Sequence, residues 1–175
     1  SAAAEETWKK MFAEYAEKYP EMAKLYDQYM SKVDTAVFDE EFYRFDGAMA
    51  TRQSSGTVLN RLAAKVPQLM GGSADLAPSN NSLMKEREYF SADNYAGSNI
   101  HFGIREFAMS AIANGMYLHG GVIPYAATFF VFSDYLKHGI RLSALMKLPT
   151  IYIMTHDSIG VGEDGPTHEP IEQCA

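Results

Sequence analysis

The densest chemistry in this sequence lies in residues 156–168, His156-Asp157-Ser158-Ile159-Gly160-Val161-Gly162-Glu163-Asp164-Gly165-Pro166-Thr167-His168, which combine two histidines, three acids and three glycines. Three chemistries compete for that composition. Gly160, Gly162 and Gly165 have the glycine spacing of a dinucleotide-binding loop. Glu163 and Asp164, however, would put carboxylates where a pyrophosphate must sit, and the chain stops before the acid expected ~20 residues further on. His156, Asp157, Asp164 and His168 could ligate a metal, although their spacing matches no helical zinc motif. A solvated turn is the third reading, and the concentration of titratable groups suits it least.

Three other segments carry chemistry. Glu106 stands in Gly103-Ile104-Arg105-Glu106-Phe107-Ala108-Met109, at the start of an apolar helical pattern. A carboxylate there either complements the helix dipole or serves as a dry acid able to share a proton with a ligand. Phe129, Phe132 and Tyr135 recur at a spacing of three, which aligns them on one helical face. Such a stripe packs a core or forms a slot for a flat ring. In Gly71-Gly72-Ser73-Ala74-Asp75-Leu76-Ala77-Pro78-Ser79-Asn80, backbone amides and Ser79 could hold an anion, with Arg52 as a forked partner; a plain turn is the alternative.

These segments need elements to position them. Trp8, Phe12, Tyr15 and Tyr19 recur at spacings of three and four, which predicts an amphipathic helix, and a second one resumes after Pro20. Residues 1–45 are expected to form a helical connector that packs on a domain surface, and residues 46–175 a domain. Within it, Ser54 or Ser55 caps a helix that runs through Val66, with Pro67 as the boundary. Strands are expected at 69–70, 99–102, 122–125 and 150–155, and helices at 105–118 and 129–146. The helix at 105–118 is apolar almost all round and is expected to be buried. Alternation of this kind predicts an α/β fold, a mainly parallel sheet with helices on both faces. In such a sheet ligands bind beyond the carboxyl ends of the strands. Residues 71–80, 103–106, 126–135 and 156–168 should therefore meet at one rim.

Composition bounds the partners. Fifteen Lys and Arg against 22 Asp and Glu give a net charge of −7 with no basic run, which argues against nucleic acid and anionic membrane. A single cysteine, Cys174, excludes an internal disulfide framework and a multi-cysteine metal site. No apolar stretch approaches the ~20 residues of a membrane span, and the N-terminus lacks a signal-peptide pattern. The expectation is a soluble, cytoplasmic protein.

Taken together, five segments closely resemble transketolase. They are the run from Gly71 with Pro78-Ser79-Asn80, then Phe102-Gly103-Ile104-Arg105-Glu106, residues 128–135, Arg141-Leu142-Ser143-Ala144-Leu145, and Thr155 with the whole of 156–168. They stand in the family's order and spacing from about Thr51 onward, and the N-terminal helices resemble the family's interdomain linker.

The resemblance implies the thiamine diphosphate-binding fold, here the first part of the pyrimidine-binding domain, in an enzyme that moves a two-carbon ketol unit between sugar phosphates. It implies that Glu106 bonds the aminopyrimidine ring nitrogen of thiamine diphosphate and favours the imino tautomer that takes the thiazolium C2 proton. Phe129, Phe132 and Tyr135 would surround the pyrimidine ring, and Asp75 would help hold the cofactor's bound geometry. Arg52, Ser79 and His156 would bind the substrate phosphate, Asp164 the C2 hydroxyl of the sugar, and His168 would assist proton transfer to sugar oxygens. The diphosphate and a divalent cation, Mg2+ or Ca2+, would be held by a complementary diphosphate-binding domain outside this chain, across a homodimer interface. The chain alone is therefore expected to be inactive and to contain no metal site. Rival readings are a dihydroxyacetone synthase or deoxyxylulose phosphate synthase, and a non-catalytic module that pairs through an open sheet edge.

Overall fold

The computed structural model describes residues 1–158 and 160–174; Ile159, in the histidine-rich segment, lies outside the described residues. Two compact units are present, Ser1–Asp34 and Thr35–Ala175.

In the first unit, helix α1 (Ala2–Lys18) ends at Tyr19, and Pro20 opens helix α2 (Pro20–Met30), a position where its missing N–H costs nothing. The aromatic stripe closes the hairpin. Trp8 stacks on Phe12 with ring centroids 5.1 Å apart, and Phe12 lies 5.0 Å from Tyr26 of α2.

The unit boundary falls between Asp34 and Thr35, so residues 35–45, grouped with the connector on sequence, fold with the second unit. Arg61 holds them there. Its guanidinium donates to the carbonyls of Phe42 (2.7 Å) and Arg44 (2.8 Å) and lies over the ring of Phe45.

The second unit is the expected α/β fold. Helix α3 (Thr51–Lys65) leads into β1 (Leu69–Ser73), followed by the short α4 (Ala77–Asn80) and β2 (Asn99–His101). Helix α5 (Glu106–His119), β3 (Ile123–Phe129), α6 (Ser133–Leu145) and β4 (Ile151–Thr155) complete it. These four strands pair in parallel, in the order β2-β1-β3-β4. Ala126, Ala74 and Phe102 pack with Met109 and Ala113 of α5 and Leu136 of α6 on one face. On the other, the fully buried Tyr125 donates its hydroxyl to the Ser82 carbonyl (2.8 Å), just beyond α4. Central strand β1 carries Gly71 and Gly72 because its neighbours leave no room: a Cβ at Gly71 would strike Tyr125, and one at Gly72 the Ile100 carbonyl.

Four expectations are corrected. Helix α3 starts at Thr51, not at a cap on Ser54 or Ser55; Gln53 accepts the Ala50 N–H, and the Ser54 hydroxyl donates back to the Thr51 carbonyl. Strand β1 runs on through Gly71, Gly72 and Ser73, beyond 69–70, because both neighbouring strands pair with it there. Strand β3 likewise runs to Phe129 rather than ending at Tyr125: residues 126–129 pair with β4, and Ala126 and Ala127 with β1 too, which outweighs the helical preference of alanine. Helix α5 buries one face only, through Met109, Ser110, Ala113 and Asn114, while Phe107, Ile112 and Leu118 stay exposed. Two of its buried polar residues, Ser110 and Asn114, have partners, and the Ser110 hydroxyl donates to the Phe107 carbonyl (2.8 Å). Asn114 donates to the Gly139 carbonyl (3.0 Å) and accepts from the Ser143 hydroxyl (2.6 Å), and so ties α5 to α6.

Candidate active site

The chain leaves β1 for β2 on one side and then returns past it to β3 on the other. At that reversal the segments that leave the strand ends part to opposite faces of the sheet, which opens a crevice at the carboxyl rim. The segments following all four strands contribute to a single cleft of about 540 Å³. Ala74, Asp75 and Leu76 follow β1, and Ile104 and Glu106 follow β2. Phe132 and Tyr135 follow β3, and His168 lies beyond β4. The convergence expected from the alternation of elements is present.

Glu106 is the first residue of α5 and is only 8% exposed. Among the described residues no hydrogen bond or ion pair takes up its carboxylate. The helix dipole favours the negative charge there, but the acceptor oxygens themselves are left for a ligand.

The aromatic slot is built differently from a helical stripe. Phe129 ends β3, residues 130–132 form a 3-10 turn, and only Tyr135 lies within α6. A 3-10 turn eclipses positions three apart, so the rings still align. Phe129 and Phe132 lie 5.9 Å apart and nearly parallel at 8°, and Phe132 is 6.2 Å from Tyr135. His168 meets the edges of both phenylalanines, 5.4 Å from Phe132 and 6.0 Å from Phe129.

Behind Phe129 lies a second cluster. The His156 ring packs 3.7 Å from Phe129, and its Nε2 is 3.0 Å from Arg52 Nη1 and 4.0 Å from Asp164 Oδ2. Burial pushes the His156 imidazole below its ordinary pKa, and the Arg52 guanidinium pushes it the same way; Asp164 and Asp157 oppose them. Two residues here adopt the left-handed region that favours glycine, Asp75 just after β1 (φ 62°) and His156 just after β4 (φ 53°). Each conformation costs on the order of 1 kcal/mol, and such strain collects where a side chain must be aimed.

The structure thus brings Glu106, Asp75, Phe132, Tyr135 and His168 to the cleft, and Arg52, His156 and Asp164 together beside it; Phe129 does not line the cleft itself but joins the two groups through ring contacts with Phe132, His168 and His156. Ser79 is exposed on α4 and, among the described residues, forms no hydrogen bond with either group. Three participants lie inside the motifs but have no role on sequence: Ser73, Asn80 and Thr155. Their hydrogen bonds reach His156. The signal for Ser73 and Thr155 is a polar residue that ends a strand, β1 or β4, which is weak on its own; Asn80, the last residue of α4, carries none.

Among the described residues no three His, Cys, Asp or Glu side chains are grouped to hold a metal ion, and no helix is long and apolar enough to cross a membrane. Residues 47–175 match the family model described as transketolase, pyrimidine binding domain. The chain belongs to that family. Every candidate residue, from Arg52 to His168, falls inside the matched range.

Full-length relatives agree. The transketolase of Halalkalibacterium halodurans is 55% identical over 173 residues, and that of Bacillus subtilis 53% over 173. Each alignment covers 98% of this chain but only 26% of the relative, so the chain spans about a quarter of a transketolase. Among solved structures, the transketolase from Campylobacter jejuni superposes with a TM-score of 0.86 at 44% identity, over 99% of this chain and 26% of that one. The transketolase from Leishmania mexicana gives 0.86 at 37% identity, with the same coverage. These matches take in the N-terminal helices, which the transketolase pyrimidine-domain model leaves outside its range.

Proposed function

We propose that this chain supplies the pyrimidine-side half of a transketolase active site, for transfer of a two-carbon ketol unit from a phosphorylated ketose to an aldose phosphate. The observation that carries the reading is Glu106, a buried carboxylate with no partner among the described residues, in the same cleft as Phe132 and His168.

The cleft suits an aminopyrimidine. It offers flat rings at Phe132 and Tyr135, apolar contact at Ala74, Leu76 and Ile104, and the carboxyl of the largely buried Glu106. Bound thiamine diphosphate would supply the carbon centre that carries the two-carbon unit between substrates. The protein's part is to orient and to handle protons. Glu106 holds a proton at the pyrimidine ring nitrogen, where a carboxyl removed from water shares it most effectively. Phe129, Phe132 and Tyr135 exclude water and fix the ring plane, while Asp75, aimed by its strained backbone, secures the bound geometry.

Substrate roles follow from the second cluster. Arg52 and His156, with Ser79, receive the sugar phosphate, a dianion matched by a guanidinium fork. Asp164 accepts from the sugar's C2 hydroxyl, and His168 moves a proton at the sugar oxygens. The diphosphate and a divalent cation, Mg2+ or Ca2+, are assigned to a complementary domain outside this chain, supplied within a cytoplasmic homodimer. The pairing of Arg52 with His156 favours a phosphorylated sugar acceptor over the unphosphorylated acceptor of a dihydroxyacetone synthase.

The test is steady-state ketol transfer by the full-length protein with thiamine diphosphate, Mg2+, a ketose phosphate and an aldose phosphate. Turnover in the wild type, with no turnover by the isolated 175-residue chain, is the expected result. Absence of transfer in the full-length protein overturns the reading.

A further inference from the structure

A chain of hydrogen bonds runs from Arg52 through the protein interior to the turn that carries Asp75, and its direction is fixed by chemistry alone. A guanidinium has donors and no acceptor, so His156 Nε2, 3.0 Å from Arg52 Nη1, must present a lone pair. A neutral imidazole carries one proton, which therefore sits on Nδ1 and is donated to Thr155 Oγ1 at 3.0 Å. The single proton of Thr155 is then free only for Asn80 Oδ1, 2.6 Å away. That sets the amide of Asn80, whose Nδ2 donates to Ser73 Oγ at 2.8 Å. Ser73 Oγ also accepts the backbone N–H of Leu76 at 3.2 Å, at the far side of the strained Asp75. Ser73, Asn80 and Thr155 are buried, so water does not compete for these bonds.

We propose that Thr155 and Asn80 are positioning residues that hold His156 in the Nδ1–H tautomer, so that its Nε2 lone pair aims the Arg52 guanidinium at a phosphate monoester. Without them the ring could take the opposite tautomer, and an N–H would face the guanidinium. The balance of burial and charge around the ring favours the neutral imidazole. Burial, Arg52 of α3 and His168 oppose its protonation, and Asp164, whose Oδ2 is 4.0 Å from Nε2, and Asp157 favour it. The inference rests on the phosphate role proposed above for Arg52.

Two measurements on the full-length holoenzyme test it. Neutron diffraction should locate the exchangeable hydrogen of His156 on Nδ1, and a hydrogen on Nε2 facing Arg52 overturns the proposal whatever the enzyme's activity. In kinetics, Thr155→Val should raise KM for an aldose phosphate about tenfold, the effect of losing the aim of one charge-assisted bond. It should change kcat and the KM for an unphosphorylated aldehyde by less than about twofold. Thr155→Ser, which keeps the hydroxyl, should restore the wild-type KM. Equal changes for both acceptors, or none for either, overturn the proposal. If the wild type transfers no ketol unit, the functional reading fails, and the hydrogen position alone decides this one.

Discussion

The ring of Phe129 lies 3.7 Å from that of His156, inclined at 31°, and 5.9 Å from that of Phe132. One buried side chain therefore touches both Phe132 and His168, which line the cleft that suits a pyrimidine, and His156 of the cluster that suits a phosphate. Displacing that ring disturbs contacts on both halves of the site.

Substitution of Phe129 should be felt as a folding defect. The residue is 6% exposed, and Phe129→Ala is expected to cost about 3–5 kcal/mol. Urea unfolding of the full-length protein measures it. Phe132→Ala, at a half-buried ring on the cleft, is expected to cost less than about 2 kcal/mol and to weaken thiamine diphosphate binding by up to about tenfold, through lost ring contact. Calorimetric titration checks the second figure. Comparable stability losses for the two variants would contradict the division.

His156 makes stability depend on pH with a definite sign. Burial, and then Arg52, hold its pKa below the ordinary 6.5, so the unfolded chain takes up a proton that the folded protein refuses. Its contribution is intact above pH 6.5 and is lost as pH falls from there toward the depressed folded value. Wild type should thus lose stability relative to His156→Gln between pH 8 and pH 5. Arg52→Met should reduce that loss, and Asp164→Asn should enlarge it. A wild type that gains on the variant as the pH falls would reverse the sign and contradict the assignment.

Helices α5 and α6 meet where Gly139 faces the hydroxyl of Ser110 with no room for a methyl group. Gly139→Ala should destabilise by about 1–3 kcal/mol through overpacking. Ser110→Ala in the same chain should recover part of it, a coupling that a double-mutant cycle reads directly. Additive effects would place the strain elsewhere.

Much of this was legible in the residues, and the misses have physical causes. The parallel sheet and its rim followed from the alternation of apolar runs with glycine-rich and polar segments, because that alternation encodes where strands end. Glu106 stood out as a lone carboxylate heading an apolar helix. The reach of β3 to Phe129 was hidden, since Ala126 and Ala127 show no strand preference until β1 and β4 both pair with them. The exposed face of α5 was hidden for a related reason: Phe107, Ile112 and Leu118 are as apolar as Met109 and Ala113, and composition does not say which side meets the sheet. Asn80 and Thr155 gain meaning only from a bond between residues 75 positions apart.

The most direct test of the account is the rate at which the C2 hydrogen of thiamine diphosphate exchanges with deuterated water in the full-length Glu106→Gln protein. The amide keeps the shape but cannot share the proton, so exchange should slow by about 100-fold or more relative to wild type. Exchange within threefold of wild type, with the cofactor bound and the fold intact, would contradict the role given to Glu106, on which the functional reading stands.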